Sequence, residues 1–148
     1  MTLNERLTEE YKNALRNHDE VRKRTISSAR AAVKHVEVDE RKELSDDDIA
    51  VILTKQVKMR KDALPDFERA GRTDLLDAYR AEIDVLSEFL PKQLSEEEIK
   101  DVIRKAAAGL GIEGGKENMG KLMGAVMKEL KGKADGNTVR KNVEEFLS

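Results

Sequence analysis

The chain has 148 residues, 39% charged and 39% hydrophobic but only 3% aromatic, with 28 basic against 30 acidic side chains and a net charge of −2. A pI near 5.8 excludes a nucleic-acid binder that works by bulk charge, so any such role needs a local basic patch. The absence of cysteine excludes disulfides, zinc ribbons and thiol catalysis, and it fits a reducing compartment, for which the cytoplasm is the expectation.

The opening MTLNERLTEE holds no apolar h-region, so no signal peptide is expected, and no apolar run approaches the length of a membrane span. Leu3, Leu7, Tyr11 and Leu15 recur at helical spacing behind Thr2, with Glu5 placed for a capping box. His18-Asp19-Glu20 breaks that helix, and Val21, Thr25, Ala29, Val33 and Val36 form the stripe of a second. Ser45 with Asp48 opens a third, whose apolar face is Ile49, Ile52, Leu53, Val57, Ala63, Leu64 and Phe67. Pro65 lies inside that pattern and is expected to kink or split the helix near Leu64, because proline lacks the N–H and crowds the preceding turn. Ala70-Gly71 stops it, and Leu75, Leu76, Tyr79, Ile83, Leu86 and Leu90 mark a fourth helix.

Pro91 then interrupts the chain, and a boundary is expected between Leu90 and Leu94, giving domains 1–92 and 93–148. Ser95-Glu96-Glu97-Glu98 reads as a capping box with acids in the first turn. Three short helices follow, with stripes Ile99, Val102, Ile103, Ala106, Leu110, then Met119, Leu122, Met123, Val126, Leu130, then Val139, Val143, Phe146, Leu147. No period-two strand pattern appears. The fold class is therefore all-α, an N-terminal domain of about four helices followed by a compact three-helix C-terminal domain.

Little of the sequence reads as catalysis. The glycine-rich run Gly109 to Gly115 is not a phosphate loop, since no strand precedes it and no Lys-Ser or Lys-Thr pair follows; it reads as a flexible interhelix loop. His18 and His35 lack metal spacing and read as solvated helix-surface residues, and Ser27 and Ser28 have no base and orienter. Asp46-Asp47-Asp48 reads as helix-dipole stabilisation rather than a cation site. No catalytic residue, metal or cofactor is expected. Gly120 and Gly124 sit four apart in a helix, where each costs about 1 kcal/mol against alanine. The favoured explanation is close packing inside the small bundle; close approach by a partner such as RNA is the alternative.

Basic residues cluster late in the chain. From Lys116 to Lys141 there are seven basic residues against three acids, with Lys121, Lys128, Lys131, Lys133, Arg140 and Lys141 the candidate nucleic-acid contacts. They centre on LKGKADGNTVRK, where Gly132 ends one helix and Asp135 caps the next. Lys131 and Lys133 flank this bend beside a helix N-terminus, which attracts anions. A second patch, Arg22-Lys23-Arg24 with Arg30 and Lys34, reads as a charged face paired with neighbouring acids.

Arg60-Lys61-Asp62, Ala70-Gly71-Arg72, Glu82-Ile83, the run LPKQLSEEEI at 90–99 and above all MGKLMGAVMKELKGKADG at 119–136 resemble the YqeY family over nearly the whole chain. The Lys-Gly-Lys-Ala-Asp core also resembles the tail domain of the B subunit of the glutamine-dependent aspartyl/glutamyl-tRNA amidotransferase, which commonly has Asn-Pro where this chain has Asp135-Gly136. The resemblance implies the two-part helical fold and an association with tRNA, and it carries over no catalytic site; a carbon–nitrogen ligase label would be inherited from the larger enzyme. Two functions follow as expectations. One is a freestanding, non-catalytic tRNA-binding module; the other is a helical protein-interaction adaptor for an amidotransferase or an aminoacyl-tRNA synthetase.

Overall fold

In the computed structural model, which describes residues 1–148, the chain forms seven α-helices and no strand. They are α1 Leu3–Arg16, α2 Glu20–Glu40, α3 Asp46–Arg69, α4 Thr73–Ser87, α5 Glu96–Leu110, α6 Met119–Leu130 and α7 Gly136–Leu147, with a single 3-10 turn at Lys116–Asn118. They divide into two units, Met1–Pro91 and Lys92–Ser148, each with its own apolar core. None of the helices is long and apolar enough to cross a membrane.

Local chemistry sets the helix starts. Ser45 and Ser95 each accept a bond from the N–H three residues on, and the Asp48 and Glu98 carboxylates accept one from the cap N–H, so both boxes close. Thr2 makes only half of a box, accepting from the Glu5 N–H. Asp19 caps α2 through the Arg22 N–H, and His18 takes the left-handed backbone just before it, so His18 is a turn residue and not one on a helix face. The acidic run at the start of α3 does more than complement a dipole: Asp46 Oδ1 accepts the Leu3 N–H at 3.0 Å and ties α1 to α3.

In the N-terminal unit α3 and α4 form an antiparallel pair around the Gly71 turn, and α2 packs against α1, α3 and α4. Leu7, Ile26, Ile49, Leu53 and Leu86 fill the centre and are essentially free of solvent. The stripes shift from their sequence reading in three places. Leu15 is exposed and Ala14 takes its place; Val21 is at the surface while Ile26 is buried; and Phe89, one residue beyond the fourth stripe, is in the core. Pro65 does not split α3, which runs unbroken to Arg69. The residue lies on the exposed side near the C-terminal end, where the helix loses one N–H bond and no core contact.

The C-terminal unit is a triangle in which α5, α6 and α7 each pack on the other two. Ile103, Leu122, Leu130, Val126, Val139 and Val143 are its most buried members. The glycine run between α5 and α6 is not slack. Gly111 closes α5 with φ 71°, Ile112 is buried, the Gly115 N–H donates to the Leu147 carbonyl at 2.9 Å, and Asn118 Nδ2 donates to the Gly114 carbonyl at 2.8 Å. A loop with a buried isoleucine and bonds to a helix end is packed structure.

Candidate nucleic-acid interface

Helix α6 is where the pattern of small and charged residues acquires geometry. Leu122, Val126 and Leu130 point into the core with Met119, Met123 and Met127 beside them. At 100° per residue this leaves Gly120, Lys121, Gly124 and Lys128 on the outer arc, all four exposed. A Cβ added at Gly120 or Gly124 would meet no atom within 4 Å. Close packing inside the bundle therefore does not explain these glycines, because the bundle is on the other side of the helix. Lys121 and Lys128 are two turns apart, about 10 Å along the axis, and they line one edge of the strip that Gly120 and Gly124 leave without side chains.

The bend between α6 and α7 is braced from a segment that sequence reading assigned only to a boundary. Gln93 Nε2 donates to the Gly132 carbonyl at 2.8 Å, and the Leu94 N–H donates to the Lys133 carbonyl at 2.9 Å. The Lys133 N–H in turn donates to the Leu130 carbonyl at 2.8 Å. Gly132 is buried with φ 81°, a conformation that a Cβ would strain, which is why glycine stands there. Lys131 is exposed and Lys133 half-buried. At the start of α7, Asp135 Oδ2 accepts both the Thr138 N–H at 3.1 Å and the Thr138 hydroxyl at 3.3 Å. The capping carboxylate already occupies the helix end, so an anion arriving here would be held by the lysines more than by the helix N–H groups.

Arg140 and Lys141 are exposed on α7. Lys141 lines a groove of about 730 Å³ with Lys116, Met119, Glu144 and Glu145, where the carboxylates offset the two ammonium groups. The six candidate residues thus fall into three groups: Lys121 with Lys128 on the bare face of α6, Lys131 with Lys133 at the bend, and Arg140 with Lys141 on α7. Among them Lys121, Lys128, Lys133, Arg140 and Lys141 form no ion pair.

The second patch behaves differently. Arg22 bonds Glu10 at 2.9 Å and Glu88 at 2.6 Å, and its guanidinium is held above its ordinary pKa chiefly by the bond to Glu88. Lys23 pairs with Glu20, and Arg30 lies 5.1 Å over the Tyr11 ring. Arg22, Lys23 and Arg30 are thus engaged inside the N-terminal unit, whereas Arg24 and Lys34 are exposed and make no ion pair. No group of three or more His, Asp or Glu side chains is placed to hold a metal ion.

A family model described as Yqey-like protein matches residues 4–147. The chain belongs to the YqeY family. It is also 30% identical over 145 residues to a Pyrenophora tritici-repentis protein named Altered inheritance of mitochondria protein 41, mitochondrial, covering 96% of this chain and 79% of that one. A protein of the same name from Lachancea thermotolerans is 28% identical over 85 residues, covering 57% of this chain and 46% of its own length. Both relatives are named as mitochondrial, which overturns the cytoplasmic expectation. That expectation rested on missing cysteines, and a lack of disulfide chemistry does not distinguish one reducing compartment from another.

Two of the residues that carry the family resemblance meet in space. Arg60 and Glu82, on α3 and α4, form an ion pair at 3.3 Å with both side chains only 13% exposed. Arg60 Nη1 also donates to the Gln56 carbonyl and to its Oε1, each at 3.1 Å. Arg72 bonds Asp74 at 3.0 Å just past the Gly71 turn. In the N-terminal unit, then, the family signature is structural.

Proposed function

We propose that this YqeY-family chain is a non-catalytic tRNA-binding module whose C-terminal unit grips the RNA backbone with Lys121, Lys128, Lys131, Lys133, Arg140 and Lys141. The observation that carries the reading is the outer face of α6. Two glycines there cost helix stability, pack against nothing and lie beside two lysines that make no ion pair. A helix surface without side chains lets a phosphodiester strand approach the backbone, and the flanking ammonium groups supply the countercharge. The likeness of 119–136 to an amidotransferase tail, where tRNA is held and chemistry lies elsewhere, supports the same role. With aromatics at 3% of the chain, recognition rests on phosphates and shape more than on base stacking.

The test is binding of purified tRNA as a function of salt, comparing wild type with Lys121→Glu/Lys128→Glu. Wild type should bind with a steep salt dependence, and the double variant should lose at least tenfold in affinity and about two phosphate contacts from the slope. Arg24→Glu is the control, since Arg24 is exposed and unpaired on α2; Arg22 is unsuitable because it bridges Glu10 and Glu88. Equal loss in Arg24→Glu would move the interface to the N-terminal unit. Absence of tRNA binding at low salt would leave the protein-interaction adaptor as the better reading.

A further inference from the structure

One polar atom in the C-terminal unit is left without a partner. Asn142 lies on the inner face of α7 and is 5% exposed. Its Nδ2 donates to the Thr138 carbonyl at 2.9 Å, but its Oδ1 is shut from solvent and accepts nothing. Turning the amide over would set oxygen against the Thr138 carbonyl oxygen, so this orientation is the favourable one. A buried acceptor without a donor is costly, and such groups occur where something else supplies the bond.

The same asparagine lines a cavity of about 210 Å³ between α5 and α7. Ile103 and Asn142 form its buried floor, Phe146 is half-buried at the side, and Lys100, Arg104 and Glu145 stand at the rim. Lys100 makes no ion pair, whereas Arg104 pairs with Asp101. The chemistry of this set is directional. The floor offers one unpartnered acceptor beside an amide nitrogen that spends one N–H on the Thr138 carbonyl, the wall offers a ring edge or face, and the rim offers two cations and the Glu145 carboxylate.

We propose that this cavity is a nucleotide site that takes a base bearing an exocyclic amino group. The amino N–H donates to Asn142 Oδ1, the base lies against Phe146 and Ile103, and the phosphate meets Lys100 and Arg104. The volume suits a single base and is below that of pockets for larger ligands. Adenine, cytosine and guanine present such an amine. Uracil does not, and sets carbonyl oxygens on both sides of its one imino N–H, against the Asn142 oxygen. Reaching the oxygen takes side-chain rotation at the rim, where Phe146 and Lys100 are half-buried and Lys100 is unbonded. The nucleotide can be free or an unpaired residue of an RNA, since the recognising chemistry is shared. The site uses none of the α6 residues assigned to the RNA backbone.

The experiment is amide NMR on the full chain, titrated with AMP, CMP, UMP and ribose 5-phosphate. The Asn142 side-chain NH₂ signals and the amides around Lys100 and Phe146 should shift saturably with AMP or CMP, and much less with UMP or ribose 5-phosphate. Asn142→Leu, which removes the orphan acceptor, should abolish the base-dependent shift with a melting temperature no lower than wild type. Lys100→Ala/Arg104→Ala alters only rim residues, and should weaken AMP binding about tenfold or more while preserving the UMP-versus-AMP difference. If neither AMP, CMP nor tRNA moves the Asn142 signals, or if all four probes move them alike, the site is refuted. A tRNA affinity lowered by Asn142→Leu identifies an unpaired RNA residue as the occupant, and an unchanged one with AMP shifts retained identifies a free nucleotide. Salt-sensitive tRNA binding with silent Asn142 signals refutes this site and leaves the α6 interface standing; AMP shifts without tRNA binding do the reverse.

Discussion

In the N-terminal unit Arg22 joins α1, α2 and the end of α4 through Glu10 and Glu88, and Arg60 joins α3 to α4 through Glu82. In the C-terminal unit Arg104 pairs with its neighbour Asp101, while Lys121, Lys128, Lys133, Arg140 and Lys141 pair with no carboxylate. The charge balance differs little: 17 basic and 20 acidic side chains up to Pro91, and 11 and 10 beyond it. What separates the units is that two N-terminal arginines, Arg22 and Arg60, are held by carboxylates of other helices. A guanidinium held by two carboxylates has lost most of its attraction for a phosphate, whereas a solvated ammonium keeps it. The N-terminal unit therefore uses Arg22 and Arg60 to fix helix positions, and the C-terminal unit presents most of its cations outward.

The sharpest way to break that comparison is at Arg60. Its side chain and that of Glu82 are each 13% exposed, so Arg60→Ala leaves a largely buried carboxylate without a partner. The expected loss is about 3 kcal/mol of unfolding free energy in urea, with tRNA affinity unchanged where the fold persists. A loss below about 0.5 kcal/mol would show the pair to be peripheral and erase the structural role assigned to the N-terminal cations.

The α6 face gives a smaller effect of opposite sign. Gly120→Ala and Gly124→Ala meet open space at helical φ, so each should stabilise the protein by about 0.5–1 kcal/mol. If the bare strip receives an RNA backbone, the same methyl groups should lower tRNA affinity, most in the double variant. Stabilisation with unchanged affinity would leave the lysines as the interface and remove the glycines from it.

The smallest effect compares the two units in acid. The Glu98 carboxyl is held below its ordinary value by the Ser95 N–H it accepts, and that of Asp74 is held down by Arg72. A lowered folded pKa means stability that is present above the ordinary value, about 4.5 for Glu98, and lost as pH falls through the lowered one. Thermal melting of Glu98→Gln should lie slightly below wild type near neutral pH and converge with it in acid. Parallel curves down to strongly acidic pH would mean that the capping-box carboxylate contributes nothing through its charge.

Helix starts were written in the sequence because capping is local: Ser45, Ser95 and Asp135 act on groups three residues away. The all-helical class followed from composition and period for the same reason. Stripe membership was less legible. Leu15 and Val21 sit at the periodic position but at the edge of the bundle, and Ile26 and Phe89 became core because neighbouring helices close over them. Of the candidate interface, the lysines were visible as a run of charge, and Asp135 as a cap. Which cations lack partners was not visible, because Arg22 reaches Glu88 across 66 residues.

The sequence by itself determined the helical class, the capped helix starts, the family, and the presence of a basic C-terminal stretch, since each depends on residues within a few positions of one another. Only the tertiary structure decided that Gly120 and Gly124 face open space, that Gln93 and Leu94 brace the bend at Gly132, and that Asn142 is buried with a free acceptor. Those facts depend on which side of a helix its neighbours occupy. That is fixed by the packing of whole apolar faces, and a single residue's identity does not record it.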